Sequence, residues 1–296
     1  MEDLSVPLVK YSPTVRIGNW FEEYCLEEDE IQNFLAKRRT GSLLTQKTRR
    51  MFSNLLREID LAKASPFVKF GDVVQFVASD LKISKDFEDI KPVLSLVVTE
   101  KRILQSQQID EESEPSIAPC MKPCVRNTFI IKSPDAVRRD GEVLKFGQEF
   151  LIESTQGGCP KFILFSSPKC QNLSTAFEPT NMASTGGEIV LPVGVCPKIS
   201  PENFPNIPTG HARWKCQHLI PSMRFQSEGE PVPSNTRLLI THVATNQNLA
   251  AENVEFQTFF GNECLVSVHN YLDKLKRVQW QNVWSIHLGN ENDDGK

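Results

Sequence analysis

Apolar and polar residues along this chain fall into two textures, and the change comes near Pro66. Before it, apolar positions recur at helical spacing. Ile31, Phe34 and Leu35 stand at i, i+3 and i+4, which predicts a helix from Glu27 to Ala36. Glu27, Glu28, Asp29 and Glu30 lie at the positive end of its dipole. Lys37, Arg38 and Arg39 lie in its last turn, and Gly41 follows as a stop. Leu44, Met51, Leu55 and Leu56 can share one face of a second helix, from about Leu43 to Leu56. Residues 1–14 read as extended. The alternation Val15-Arg16-Ile17-Gly18-Asn19-Trp20 then ends in a Trp.

After Pro66, short apolar runs recur between Gly, Pro, Asn and Ser, which is the pattern of many short strands. Strands are expected at Asp72–Val77, Leu94–Thr99, Thr128–Lys132, Gln148–Ile152, Lys161–Ser166 and Glu188–Pro192. Further ones are expected at Arg213–His218, Thr236–His242, Asn248–Glu252, Glu263–Val268 and Val283–His287. Lys101–Pro123 is polar, acidic and proline-bearing, so it reads as a surface excursion. Prolines at 192, 197, 201, 205 and 208 make that stretch an extended loop rather than a strand.

The strands sort into three units. The first opens with Phe70-Gly71-Asp72-Val73-Val74, the second with Phe146-Gly147-Gln148-Glu149-Phe150, the third with Thr236-Arg237-Leu238-Leu239-Ile240. Their closing segments each set an aromatic among apolar positions: Thr128-Phe129-Ile130-Ile131, Arg213-Trp214-Lys215-Cys216 and Val283-Trp284-Ser285-Ile286. Three units of about four strands describe a mainly β fold, a β-trefoil-like barrel with the closing aromatics filling it. A β-sandwich is the alternative with a similar number of strands.

Composition adds limits. The expected division is an N-terminal arm with helices at 1–62, the β domain at 63–289 and an acidic tail at 290–296. Eighteen Phe against three Tyr suits buried rings in packed β-structure. A net charge of −4 gives no basic field for nucleic acid. No apolar run approaches the roughly 18 residues of a membrane helix. Eight Cys spread over the chain, without a secretory pattern at the start, read as reduced intracellular thiols.

Catalytic chemistry finds little support. His211, His218, His242, His269 and His287 lie on or beside expected strands, where a satisfied histidine is the commoner reading. Neither a nucleophile elbow nor a phosphate-cradling glycine loop is present. Cys120-x-x-x-Cys124 and Cys216-x-His218 offer metal-ligand types without completing a tetrahedral set. The expectation is no enzyme, no cofactor, no metal and no small-molecule substrate.

One charge asymmetry stands out. Lys37 to Arg57 carries seven basic residues and no acidic one. Such a run is either a solvated helix face or a contact for an acidic partner surface. Lys37, Arg38, Arg39, Lys47, Arg49 and Arg50 are the candidate contacts. Trp20, with Arg16 and Asn19 beside it in the arm, is a candidate anchor.

Several segments together resemble a known family. They are Val15–Trp20, Phe34-Leu35-Ala36-Lys37-Arg38, Arg126-Asn127-Thr128-Phe129-Ile130-Ile131 and Leu144-Lys145-Phe146-Gly147-Gln148-Glu149-Phe150. Glu230-Pro231-Val232-Pro233-Ser234-Asn235, Thr245-Asn246-Gln247-Asn248-Leu249-Ala250-Ala251 and Phe260-Gly261-Asn262-Glu263 complete the set. In this order they resemble the cilia- and flagella-associated protein 161 family, from about Val15 to Trp284. The resemblance implies a microtubule inner protein of motile cilia, in the lumen of the doublet A-tubule. It implies tubulin and neighbouring inner proteins as partners, no catalysis, and a trefoil like the MIR domain of inositol trisphosphate receptors and protein O-mannosyltransferases. The stretch 192–208 and the short acidic end after Gly289 depart from the family pattern. The alternative function is a free cytosolic trefoil module that binds a carbohydrate or signalling ligand.

Overall fold

A computed structural model describes residues 20–81, 92–98, 103, 105–110, 113–120, 122–135, 139–155, 161–167, 190–197 and 210–289. The expected extended arm before Trp20 and the acidic end after Gly289 lie outside these residues. The chain separates into two compact units, Met1–Lys47 and Thr48–Lys296.

The described part of the first unit is dominated by α1 (Trp20–Thr40), twice as long as its apolar spacing predicts. Glu22 and Glu23 in its first turn and Lys37, Arg38 and Arg39 in its last favour its dipole at both ends. Gly41 ends it at φ 70°. The Ser42 amide reaches back to the Lys37 carbonyl at 2.9 Å and the Gly41 amide to the Arg38 carbonyl at 3.3 Å. These are the two bonds of a Schellman stop, at the glycine expected to provide it. The second helix, α2 (Leu44–Leu55), matches its expected span, and the division between the units falls inside it. Met51 and Leu55 are fully buried, but Leu44 is 58% and Leu56 45% exposed. The apolar face expected across all four residues is therefore halved. Leu56 lies beyond the helix end.

The second unit is mainly β-sheet. Its strands are β1 (Val73–Val77), β2 (Val93–Val97), β3 (Glu114–Ala118), β4 (Phe129–Lys132), β5 (Glu149–Ser154) and β6 (Phe162–Ser166). β7 (Leu191–Pro197), β8 (Trp214–His218), β9 (Arg237–His242), β10 (Leu249–Thr258), β11 (Gly261–Val268) and β12 (Trp284–His287) follow. Every pairing between named strands is antiparallel. The path runs β11-β3-β2-β1-β12-β9-β8-β5-β6-β7 and returns to β11, with β4 between β1 and β5. That return pairs the edges of β7 and β11, which would otherwise be open templates for another strand.

A threefold pattern holds the unit at one end. The Val68 amide donates to the Val232 carbonyl (3.0 Å), Val232 to Leu144 (2.8 Å) and Leu144 to Val68 (2.8 Å). Three residues far apart in sequence thus close a ring of backbone bonds, and all three are fully buried. A repeated turn follows each. Gly71 (φ 91°), Gly147 (φ 79°) and Asn235 (φ 56°) take the left-handed conformation open to Gly and tolerated by Asn. Their amides donate to Ile131, Cys216 and Ile286 at 2.7, 3.0 and 2.8 Å, one residue on each closing strand. The closing aromatics Phe129, Trp214 and Trp284 are buried. The indole N–H of Trp214 donates to the Leu164 carbonyl and that of Trp284 to the Leu249 carbonyl, at 3.1 and 2.9 Å.

Two expectations fail. The excursion 101–123 contains β3, paired with β2 and β11 and mostly buried. Its Ser116 is buried because its hydroxyl donates to Glu263, a partner 147 residues away. Local polarity therefore misleads there. The loop expected at 192–208 begins as strand, because β7 runs to Pro197. In antiparallel ladders alternate amides point away from a given neighbour, so a proline there forfeits no bond to it. The Pro192 carbonyl accepts the Ser166 hydroxyl at 2.9 Å. β10 also runs past its expected end to Thr258, through an irregularity between Ala251 and Glu255.

A buried charge pair ties this unit together beneath α2. Arg126 donates through one guanidinium nitrogen to both Glu263 carboxylate oxygens at 2.6 and 2.8 Å, and through Nε to the Leu96 carbonyl at 3.1 Å. Its side chain is 4% exposed and that of Glu263 1%. The guanidinium lies 3.8 Å from the Phe260 ring centroid, and Phe260 meets Phe52 edge-on at 5.2 Å. Phe52 packs against the core.

Candidate partner-binding surface

α1 brings together more than its charges. Trp20 is its first residue, not the end of an extended segment, and is 79% exposed. Tyr24, Ile31 and Phe34 are 63%, 57% and 51% exposed. These four stand at i, i+4, i+11 and i+14, on one stripe of a 3.6-residue helix. The stripe is missed when the helix is begun at Glu27, because Trp20 and Tyr24 then fall outside it. A shallow depression beside it is lined by Glu27, Glu30, Ile31 and Phe34.

At the other end of α1, Lys37, Arg38 and Arg39 are exposed. Local donors occupy the carbonyls there. Thr40 and Ser42 hydroxyls reach the Lys37 oxygen, both at 3.1 Å, and the Gln46 amide reaches the Arg38 oxygen at 3.1 Å. The backbone is therefore satisfied and the cationic side chains project away. Lys47 is half-buried, whereas Arg49 and Arg50 on α2 are exposed. None of the ion pairs among the described residues uses Lys37, Arg38, Arg39, Arg49 or Arg50. Arg16 and Asn19 lie outside the described residues. α1 by itself offers cations and aromatic side chains, which suits binding. It presents no nucleophile with a base.

The histidines and cysteines have structural surroundings. The His242 ring donates from Nε2 to the His211 carbonyl and accepts the Thr245 hydroxyl at Nδ1, both at 2.9 Å. Burial beside Trp214 pushes its pKa down. His211 donates from Nδ1 to the Ser166 carbonyl at 3.0 Å. Cys216 is fully buried, and burial pushes its thiol pKa up. Cys124 is buried while Cys120 is exposed. Among the described residues no three His, Cys, Asp or Glu gather into a metal-binding group. No helix among them is long and apolar enough to cross a membrane.

Comparison with known proteins places the chain in a family. A family model described as "Cilia- and flagella-associated protein 161-like domain" matches residues 47–289. The chain belongs to the cilia- and flagella-associated protein 161 family. The protein of that name from Bos taurus is 33% identical over 283 residues, covering 94% of this chain and 82% of its own length. The Danio rerio protein is 31% identical over 284 residues, covering 93% and 86%. Among solved structures, an SDF2-like protein from Arabidopsis thaliana is similar with a TM-score of 0.44 and 13% identity, covering 75% of this chain and 94% of its own. The cilia- and flagella-associated protein 161 model takes in the β unit with Lys47, Arg49 and Arg50. It begins after the Lys37–Arg39 cluster.

Proposed function

We propose that this protein is a non-enzymatic structural component of motile cilia and flagella, a microtubule inner protein on the luminal wall of the doublet A-tubule. Tubulin and neighbouring inner proteins are its partners in this reading. Membership of the cilia- and flagella-associated protein 161 family is the observation that carries the proposal. We read the β unit as a β-trefoil of the MIR kind. The closed ring of Val68, Leu144 and Val232 and the three left-handed turns support that reading. Residues 1–62, 63–289 and 290–296 are then arm, trefoil and tail.

A sheet with few open edges makes a rigid block that does not polymerise through its own strands. Exposed aromatics and unpaired cations suit contact with neighbours that carry carboxylates. Axonemes extracted with high salt should keep the protein, because a luminal position shields it, and release with peripheral proteins would refute that position. Changing Arg38, Arg39, Arg49 and Arg50 to Glu should abolish incorporation while the β unit stays folded. Normal incorporation of that variant would remove the basic stretch from the account.

A further inference from the structure

The turns that follow the closing strands carry different charges, and one of them leaves a cation without a counter-charge. After β4, the Asp140 side chain lies over Gly71 and pairs with Lys132 at 2.9 Å. After β8, Glu228 lies over Gly147 in the same way. The bonds from Gly71 to Ile131 and from Gly147 to Cys216 set the correspondence, so Gln217 stands where the first turn has Lys132. Glu228 thereby loses the equivalent cation.

The second turn carries Arg224 instead. Its Nε donates to the His218 carbonyl at 3.1 Å, and it forms no ion pair among the described residues. Burial alone lowers its pKa, with no carboxylate offsetting the effect. Beside it is a recess of about 180 Å³ lined by Phe146, Lys215, His218, Arg224, Phe225 and Glu228. The Ile220 amide donates to His218 Nδ1 at 3.1 Å, which leaves Nε2 as the ring nitrogen that can donate. Lys215 and Arg224 against Glu228 give the recess a net positive charge. At its rim Phe225 is 87% exposed, and Ile220 and Met223 in the same turn are 53% and 40% exposed. A half-buried arginine ringed by exposed apolar side chains is the composition of an interface hot spot.

We propose that this recess docks an acidic segment of a protein partner. One carboxylate enters beside Arg224 and Lys215, and a neighbouring apolar side chain packs on Phe225. The recess has room for a carboxylate head, since about 10–15 Å³ of such volume already holds a water. The surface uses none of residues 37–50 and does not depend on the ciliary reading.

The full chain is titrated with a rhodamine-labelled peptide of alternating leucine and glutamate, with its leucine–glutamine counterpart, and with inorganic phosphate as competitor. The acidic peptide should bind saturably and the glutamine peptide about tenfold more weakly or worse, as loss of a charged hydrogen bond implies. Arg224→Gln should weaken the acidic peptide by a similar factor. Phe225→Ser should weaken both peptides, and Lys132→Gln on the first turn should weaken neither. Circular dichroism melting checks that each variant folds. Phe225→Ser changes a side chain too exposed to hold the fold, so it keeps the test open if Arg224→Gln unfolds. No saturable binding, equal binding of the two peptides, or unchanged binding in both variants overturns the proposal. Arg224-dependent binding of phosphate alone would make this a small-anion site and also overturn it.

Discussion

α1 leaves Trp20, Tyr24, Ile31 and Phe34 more than half exposed, whereas the β unit holds Phe76, Phe129, Trp214 and Trp284 within 1% of full burial. The helix is held by local means: charges matched to its dipole and a Schellman stop. Such local terms are weak, because tertiary packing supplies most helical stability in folded proteins. The β unit is held by non-local means. Its ring joins residues 68, 144 and 232, and its buried ion pair joins 126 and 263. Substitutions in α1 should therefore spare folding, and substitutions in the buried core of the β unit should impair it.

The sharpest way to break that contrast is at Arg126. Removing one member of a buried ion pair leaves the other charged and unpaired, at a cost of about 3–5 kcal/mol. Arg126→Ala should lower the stability of the β unit by that amount in urea titration followed by tryptophan fluorescence. Replacing both partners, Arg126→Met with Glu263→Leu, should recover most of the loss. A single-variant loss below about 1 kcal/mol would mean that solvent reaches the pair, and the contrast would fail at its strongest point.

α2 spans the same contrast within one helix. Leu55→Ala removes a fully buried side chain and should cost about 2–5 kcal/mol. Leu44→Ala, 11 residues earlier and 58% exposed, should stay within about 0.5 kcal/mol. Equal losses in thermal or urea unfolding would show that α2 is packed along its whole length.

The same division explains what could be read from the chain alone. Local signals worked where local physics decides. The Gly41 stop, the α2 span and most strand positions follow from spacing and turn residues. The pattern failed where the deciding partner is distant. β3 is hidden because Ser116 needs Glu263 before it can be buried. Two of the segments that carry the family resemblance, Arg126–Ile131 and Phe260–Glu263, gave no physical reason to belong together. The structure supplies one, because Arg126 stacks on Phe260 and pairs with Glu263. The candidate surface was half legible. The cationic run is plain in composition, but the aromatic stripe depends on where α1 begins. The recess at Arg224 depends on Gly147 meeting a turn some eighty residues later.

A smaller effect tests the threefold turns. Gly147 has a positive φ, and a Cβ there would meet the Glu228 side chain at 3.2 Å. Gly147→Ala should cost about 1–2 kcal/mol, the penalty for an L-residue in this region. Asn235 holds the corresponding turn at φ 56°, so Asn235→Gly should leave stability almost unchanged. Comparable losses in the two variants would mean that the Asn235 side chain has a role the glycines do not share.

The least of the expected effects is a pH dependence, and it too separates the regions. Burial lowers the pKa of His242 below its ordinary 6.5, so the folded β unit keeps the ring neutral where the unfolded chain would protonate it. The unfolded state then binds more protons, and stability rises with pH through this window. The contribution is complete above the unfolded pKa and is lost as pH falls through the folded one. The bonds on both ring nitrogens fit the neutral form, since a charged ring would turn Nδ1 into a second donor facing the Thr245 hydroxyl. That hydroxyl can rotate to accept, which keeps the penalty small. α1 contains no histidine, so its helicity should hold over the same range. Urea midpoints from about pH 7 to about pH 5 should fall for the wild-type chain and fall less for His242→Gln. An equal slope in the variant would assign the pH dependence to another group.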